Sequence, residues 1–194
     1  LACCFNGSLC AQSDAQIYER TCDAKTYPFS DPSPVATPNN SYYPYFRFDG
    51  FSMQAQEKQW KMVVLENDYV KLTVTPEIGG KIWGAIDKVN NKEFVYTNGV
   101  VKFRDVAMRG PWTSGGIEFN FGIIGHAPTC STPIDYLTKK NVDGSVSCHI
   151  FSYEWITRTV WNVEINLPKD KAYFTTHTTW FNQSSIDQPY YQWM

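Results

Sequence analysis

Apolar and polar residues alternate along most of this chain with a period of two, the spacing of half-buried strands, and no segment sustains the period of a helix. Val70, Leu72 and Val74 show the pattern most clearly, and Asn67-Asp68 just before them is a hairpin signal. The same reading predicts strands over 60–66, 69–75, 81–87, 93–96, 134–138, 145–153, 156–167 and 172–182. Turn phrases separate them: Pro76-Glu77-Ile78-Gly79-Gly80, Asn90-Asn91, Asp143-Gly144 and Pro168-Lys169-Asp170. Short strands joined by regular turns predict an all-β chain folded as an antiparallel β-sandwich.

The densest chemistry lies in residues 109–129, R-G-P-W-T-S-G-G-I-E-F-N-F-G-I-I-G-H-A-P-T. Ile117, Phe119 and Phe121 alternate with Glu118 and Asn120, so the apolar three face a core and the polar two share the opposite face. Arg109, Trp112 and His126 flank this strand. A carboxylate, an amide, a guanidinium and an imidazole can hydrogen-bond hydroxyls, and an indole can stack on a sugar ring. The pattern therefore nominates Glu118 and His126 as catalytic candidates, and Arg109, Trp112 and Asn120 as substrate-binding candidates. The competing reading makes Glu118 and Arg109 a surface ion pair and Trp112 a core residue. His126 stands apart because glycine and proline surround it, as in a functional loop. His149 and His177 sit inside strand patterns and read as ordinary strand histidines, and Glu66-Asn67-Asp68 and Glu77 read as turn residues.

Composition narrows the classes. The net charge of −2 over 194 residues gives no electrostatic support for nucleic-acid binding. An apolar share of 43% suffices for a sizeable core, and the 16% aromatic content suits a β-rich surface that handles carbohydrate. No apolar run is long enough for a membrane-spanning helix. No C-x-x-C spacing exists, so a zinc site is not expected, and no other metal or cofactor is expected. Cys130 and Cys148 flank a predicted strand pair and are readable either as a disulfide formed after export or as two free core thiols.

Residues 1–12 are small, apolar and cysteine-rich, like the remnant of a secretory signal, with Cys3 a candidate lipid anchor. Export to the periplasm, the outer membrane or the exterior is the matching expectation. Residues 13–45, with Pro28, Pro32, Pro34 and Pro38, read as a linker or extended arm, and 46–194 as the sandwich. The chain begins with Leu1 and stops within Tyr190-Tyr191-Gln192-Trp193-Met194, which suggests a piece of a longer protein. Such a piece is expected to be weakly stable, with uncovered edges that favour association.

Several phrases carry a family resemblance: L-E-N-D-Y-V, P-E-I-G-G-K-I-W, R-G-P-W-T-S-G-G-I-E-F-N-F, G-H-A-P-T and P-Y-Y-Q-W. Together they resemble a bacterial family of unknown function, DUF5107, over residues 60–194. The strand pair leading into P-E-I-G-G-K-I also resembles the opening of galactose-mutarotase-like sandwiches, which implies that 46–194 is the N-terminal part of such a supersandwich. The resemblance further implies an exported protein in which tetratricopeptide repeats follow the domain. In mutarotases a carboxylate base and a histidine acid act from opposite sides of the anomeric centre, in the second half of the sandwich. Glu118 and His126 are therefore not equated with that pair. Three functions remain in view: a carbohydrate-binding module of a glycan-processing protein, an aldose epimerase or glycoside hydrolase completed by residues beyond 194, and an adhesion or scaffolding module.

Overall fold

The computed structural model describes residues 13–36, 38, 42–106, 109–122 and 124–194. Among them the chain is all-β. Its strands are β1 (Gln16–Tyr27), β2 (Gln56–Glu66), β3 (Val70–Thr75), β4 (Lys81–Asp87), β5 (Lys92–Val95), β6 (Val101–Lys102), β7 (Arg104–Asp105), β8 (Pro111–Trp112), β9 (Asn120–Phe121), β10 (Asp135–Lys140), β11 (Val146–Glu154), β12 (Thr159–Leu167), β13 (Thr175–Asn182) and β14 (Gln192–Trp193). One 3-10 turn, Pro128–Ser131, interrupts them.

A six-stranded sheet has the order β5-β4-β3-β2-β1-β6, and a four-stranded sheet the order β10-β11-β12-β13. Neighbours are antiparallel throughout, except that β6 joins β1 in parallel. Two short ribbons, β7–β8 and β9–β14, complete the pairing. The core lies between the sheets. Val63, Leu65, Leu72 and Val74 from one side meet Val146, Ile150, Trp161, Val163 and Ile165 from the other. Each such side chain, fully buried, contributes about 1.5–3 kcal/mol. In β12 every second residue is buried, as its sequence alternation requires. Strand β2 does not alternate: Met62, Val63, Val64 and Leu65 are all buried. Its outer face is covered by a second cluster of Trp60, Met62, Ile78, Trp83, Val101 and Phe103, and a strand covered on both faces reads as a continuous apolar run.

The predicted strands from 60 to 96 and from 134 to 182 correspond to β2–β5 and β10–β13, with ends shifted by a few residues. The reading of residues 13–45 as a linker needs correction. Its first half is β1, paired with β2 from Gln16 opposite Glu66 to Thr26 opposite Gln56. The prolines of the segment all follow Tyr27, so averaging over the whole segment concealed a strand whose mostly exposed side chains are polar. After β1, isolated bridges join Phe29 to Phe51 and Ser33 to Tyr45. Residues 1–12, with the export-signal reading and Cys3, lie outside the described residues.

Cys130 and Cys148 are free, buried thiols, and burial, joined by the nearby Glu19 carboxylate, pushes the Cys148 thiol up to about 12.

The β2–β3 turn is held by a residue that the sequence marked only as a hairpin signal. Asn67 is buried; its Oδ1 accepts from the amides of Tyr69 (2.8 Å) and Val70 (2.7 Å), and its Nδ2 donates to the carbonyls of Pro168 (2.7 Å) and Lys171 (2.8 Å). One amide thus ties a turn of the first sheet to the turn leaving β12. Replacing Asn67 with Ala removes four hydrogen bonds and leaves the buried Val70 amide without its acceptor, and is expected to cost about 2–3 kcal/mol in urea unfolding. A loss below about 0.5 kcal/mol, the range of surface substitutions, would mean that the two turns are held by other contacts.

Candidate functional site

The chemistry-bearing stretch is fixed to the sandwich by one small ladder. Ile117 pairs with Ile82 of β4 in antiparallel register, the Ile117 amide donating to Ile82 (2.8 Å) and the Ile82 amide to Ile117 (3.0 Å). Gly116 makes the approach: its φ is +70°, and a Cβ there would lie 2.3 Å from the Ile82 carbonyl oxygen. With Ile82 opposite Ile117, antiparallel register sets Lys81 opposite Glu118. The two isoleucines join the core, and the lysine and the carboxylate share the other face.

That face is a concavity of about 270 Å³, lined by Lys81, Trp112, Thr113, Glu118, Asn120, His126 and Trp193 among others. Lys81 is its buried floor, with 1% of its side chain exposed. The ammonium donates to the Thr113 carbonyl (2.6 Å) and hydroxyl (3.0 Å) and lies 3.7 Å from Glu118 Oε2. Burial holds the Lys81 amine below the ordinary lysine value, and the Glu118 charge opposes that shift. Glu118 itself is 12% exposed. Its Oε1 accepts from Asn120 Nδ2 (2.8 Å) and meets His126 Nδ1 at 2.9 Å, while Oε2 is buried and has no hydrogen-bond donor. A carboxylate only accepts, so Nδ1 of the imidazole carries a hydrogen and donates it to Glu118.

His126 is held in an unusual posture. Its φ of 51° is left-handed, a region that costs a non-glycine residue about 1–3 kcal/mol and is retained where surroundings over-determine it. Those surroundings are visible. Trp112 packs edge-on at 5.6 Å and Trp193 at 4.6 Å between ring centroids. The Arg109 guanidinium donates to the carbonyl of Gly125, immediately before the histidine.

The structure therefore brings Glu118, His126, Trp112 and Asn120 to one pocket and divides their roles. Asn120 is 1% exposed, and both ends of its amide are engaged, Nδ2 on Glu118 and Oδ1 on the Ala127 amide (2.7 Å). It positions the carboxylate and the histidine loop. Arg109 is not among the lining residues and donates to the loop backbone, and the ion-pair partner of Glu118 is Lys81, not the Arg109 of the competing reading. Phe119 and Phe121 are buried on the far side, Phe121 stacking on Trp161 at 4.6 Å. Among the described residues no group of His, Cys, Asp or Glu is set to hold a metal ion.

Sequence reasoning missed Lys81 and Trp193. A lysine at the start of a strand looks like a solvated turn end. A usable signal existed in the repeated phrase Gly79-Gly80-Lys81-Ile82 and Gly115-Gly116-Ile117-Glu118, two double-glycine entries into segments that pair. Trp193 reaches the pocket only because β14 pairs with β9, setting Trp193 opposite Asn120.

With this geometry in place, likeness to other proteins becomes informative. The profile of a domain of unknown function, DUF5107, matches residues 37–194. The chain belongs to the DUF5107 family. The pocket, including β14, lies wholly within the DUF5107 match. A solved structure of a TPR-domain containing protein from Parabacteroides distasonis superposes with a TM-score of 0.77 at 26% identity, over 87% of this chain and 29% of that one. The chain thus spans less than a third of the length of that protein.

Because the folded-state Lys81 binds its proton more weakly than an ordinary lysine at 10.5, the unfolded chain holds that proton more tightly. Its contribution to stability therefore rises with pH between the folded value and 10.5. Arginine cannot lose its proton, so Lys81→Arg is expected to lack this rise. Unfolding free energies of both proteins from pH 8 upward test it, and parallel curves would show that Lys81 titrates normally.

Proposed function

We propose that this domain binds carbohydrate, taking one neutral sugar ring in the Glu118 pocket, as a module of a larger exported glycan-processing protein. The observation that carries the reading is the Glu118 carboxylate, 12% exposed in a pocket walled by Trp112 and Trp193. A sugar hydroxyl can donate to the exposed part of that carboxylate, and the indoles offer flat apolar faces to the C–H surface of a ring. The Lys81 charge offsets that of Glu118, so the pocket favours a neutral ligand over an anionic one. Export rests on residues 1–12, and placement beside helical repeats rests on the likeness to a TPR-domain containing protein.

Catalysis is the weaker reading. An epimerase needs its acid and base on opposite sides of the ring. Glu118 and His126 touch each other at 2.9 Å on one side. Hydrolysis needs two carboxyl groups, and the described lining holds one.

Calorimetric titration with hexoses and pentoses tests the proposal. Glu118→Gln keeps the shape but turns one acceptor oxygen into a donor, and is expected to weaken binding at least tenfold while the near-UV circular dichroism stays native. Unchanged affinity in a folded Glu118→Gln protein would show that the carboxylate is structural, and mutarotation accelerated by the wild type would favour the enzyme.

A further inference from the structure

We infer that a second groove, on the other side of strand β8, is a binding site for a neutral oligosaccharide, an inference that rests on the carbohydrate reading above. The groove has a volume of about 550 Å³, within the range of ligand pockets and about twice that of the Glu118 pocket. Strand β8 is the shared wall: Pro111 lines the groove and Trp112 lines the pocket.

The floor is aromatic and buried, formed by Trp60 and Phe103, whose rings lie 6.0 Å apart. The rim carries Trp155, 58% exposed. The turn that carries this tryptophan is fixed by hydrogen bonds. The buried Glu154 carboxylate accepts from the amides of Ile156 (3.0 Å) and Thr157 (2.6 Å), which pins the connection from β11 to β12. Tyr153 packs on the indole at 4.9 Å and Tyr43 at 5.3 Å, so the ring is oriented before any ligand arrives. Pre-orientation of a large aromatic surface lowers the entropic cost of binding.

The occupant follows from the charges and the polar groups. Lys58 sits over the Trp60 ring at 3.8 Å, and the Glu77 carboxylate accepts the Lys61 amide at 2.6 Å. These two charges already have partners inside the protein, and the third charged residue of the lining, Asp31, is an exposed carboxylate that disfavours an anionic glycan. The wall offers hydroxyls, among them Thr129, Ser131, Thr132 and Ser152, and an amide at Gln56. Aromatic faces beside hydroxyl and amide groups match the alternating C–H faces and hydroxyls of a neutral glycan. The groove volume suits more than one sugar ring.

The test is titration of the wild type, Trp155→Ala and Glu118→Gln with a panel of neutral gluco-, xylo- and galacto-oligosaccharides of two to six residues, followed by calorimetry and tryptophan fluorescence. Trp155→Ala removes an exposed side chain and leaves the Glu154 turn in place, so it is expected to fold. It should weaken oligosaccharide binding at least tenfold while monosaccharide binding is unchanged, and Trp155→Phe should recover part of the loss. Glu118→Gln should do the reverse. Oligosaccharide affinity unchanged in Trp155→Ala, no oligosaccharide binding by the folded wild type, or binding of proline-rich peptides in place of glycans each overturns the inference. Loss of monosaccharide binding alone would overturn only the Glu118 reading.

Discussion

The structure of the site depends on a lysine and a carboxylate buried opposite each other where two strands meet. Either charge alone in that position costs stability, because taking an ion out of water carries a desolvation penalty that its partner offsets. Together, with Thr113 on the lysine and Asn120 and His126 on the carboxylate, they are nearly satisfied. The pair then dictates what surrounds it. The segment at 117 must approach β4 closely, which requires glycine at 116. The histidine must lean back over its own carboxylate, which puts its backbone in the left-handed region. The core behind can be as apolar as any sandwich, since the register sends Ile117, Phe119 and Phe121 there and keeps the charges in front.

Much of this was legible in the residues, and the failures have physical causes. Strands such as β3 and β12 announce themselves because one face is more deeply buried than the other, so alternation survives in the sequence, while β2 announces itself as the continuous apolar run of a strand covered on both faces. The same logic assigned Phe119 and Phe121 to the core and Glu118 and Asn120 to the other face, although only Asn120–Phe121 is regular strand. Strand β1 was illegible because it is held mainly by backbone hydrogen bonds to β2 and exposes most of its side chains, leaving no apolar signature. Lys81 was illegible for a different reason. A buried charge is identified by its partner, and the partner lies far along the chain, joined by a pairing that no local pattern encodes. Asn120 and Arg109 were found as residues, but their hydrogen bonds within the protein were not legible, since composition shows which groups are present and not which are already engaged.

The two concavities illustrate how one thin wall serves two surfaces. Successive residues of a strand point to opposite sides, so Pro111 and Trp112 face different cavities. The small pocket is polar at its base and indole-walled. The larger groove is aromatic at its base, with hydroxyls along its sides. Under the two proposals above they act as separate sites, one for a single ring and one for an oligosaccharide.

The central claim is that Lys81 and Glu118 form one energetic unit. A double-mutant cycle measures this directly: unfolding free energies of the wild type, Lys81→Met, Glu118→Gln and the double variant. Each single change leaves one buried polar group without its partner, while the double change removes both charges. The account predicts that the double variant is less destabilised than the sum of the singles by at least about 2 kcal/mol. Additivity within about 0.5 kcal/mol would contradict it and reduce the pair to two charges that happen to be near each other.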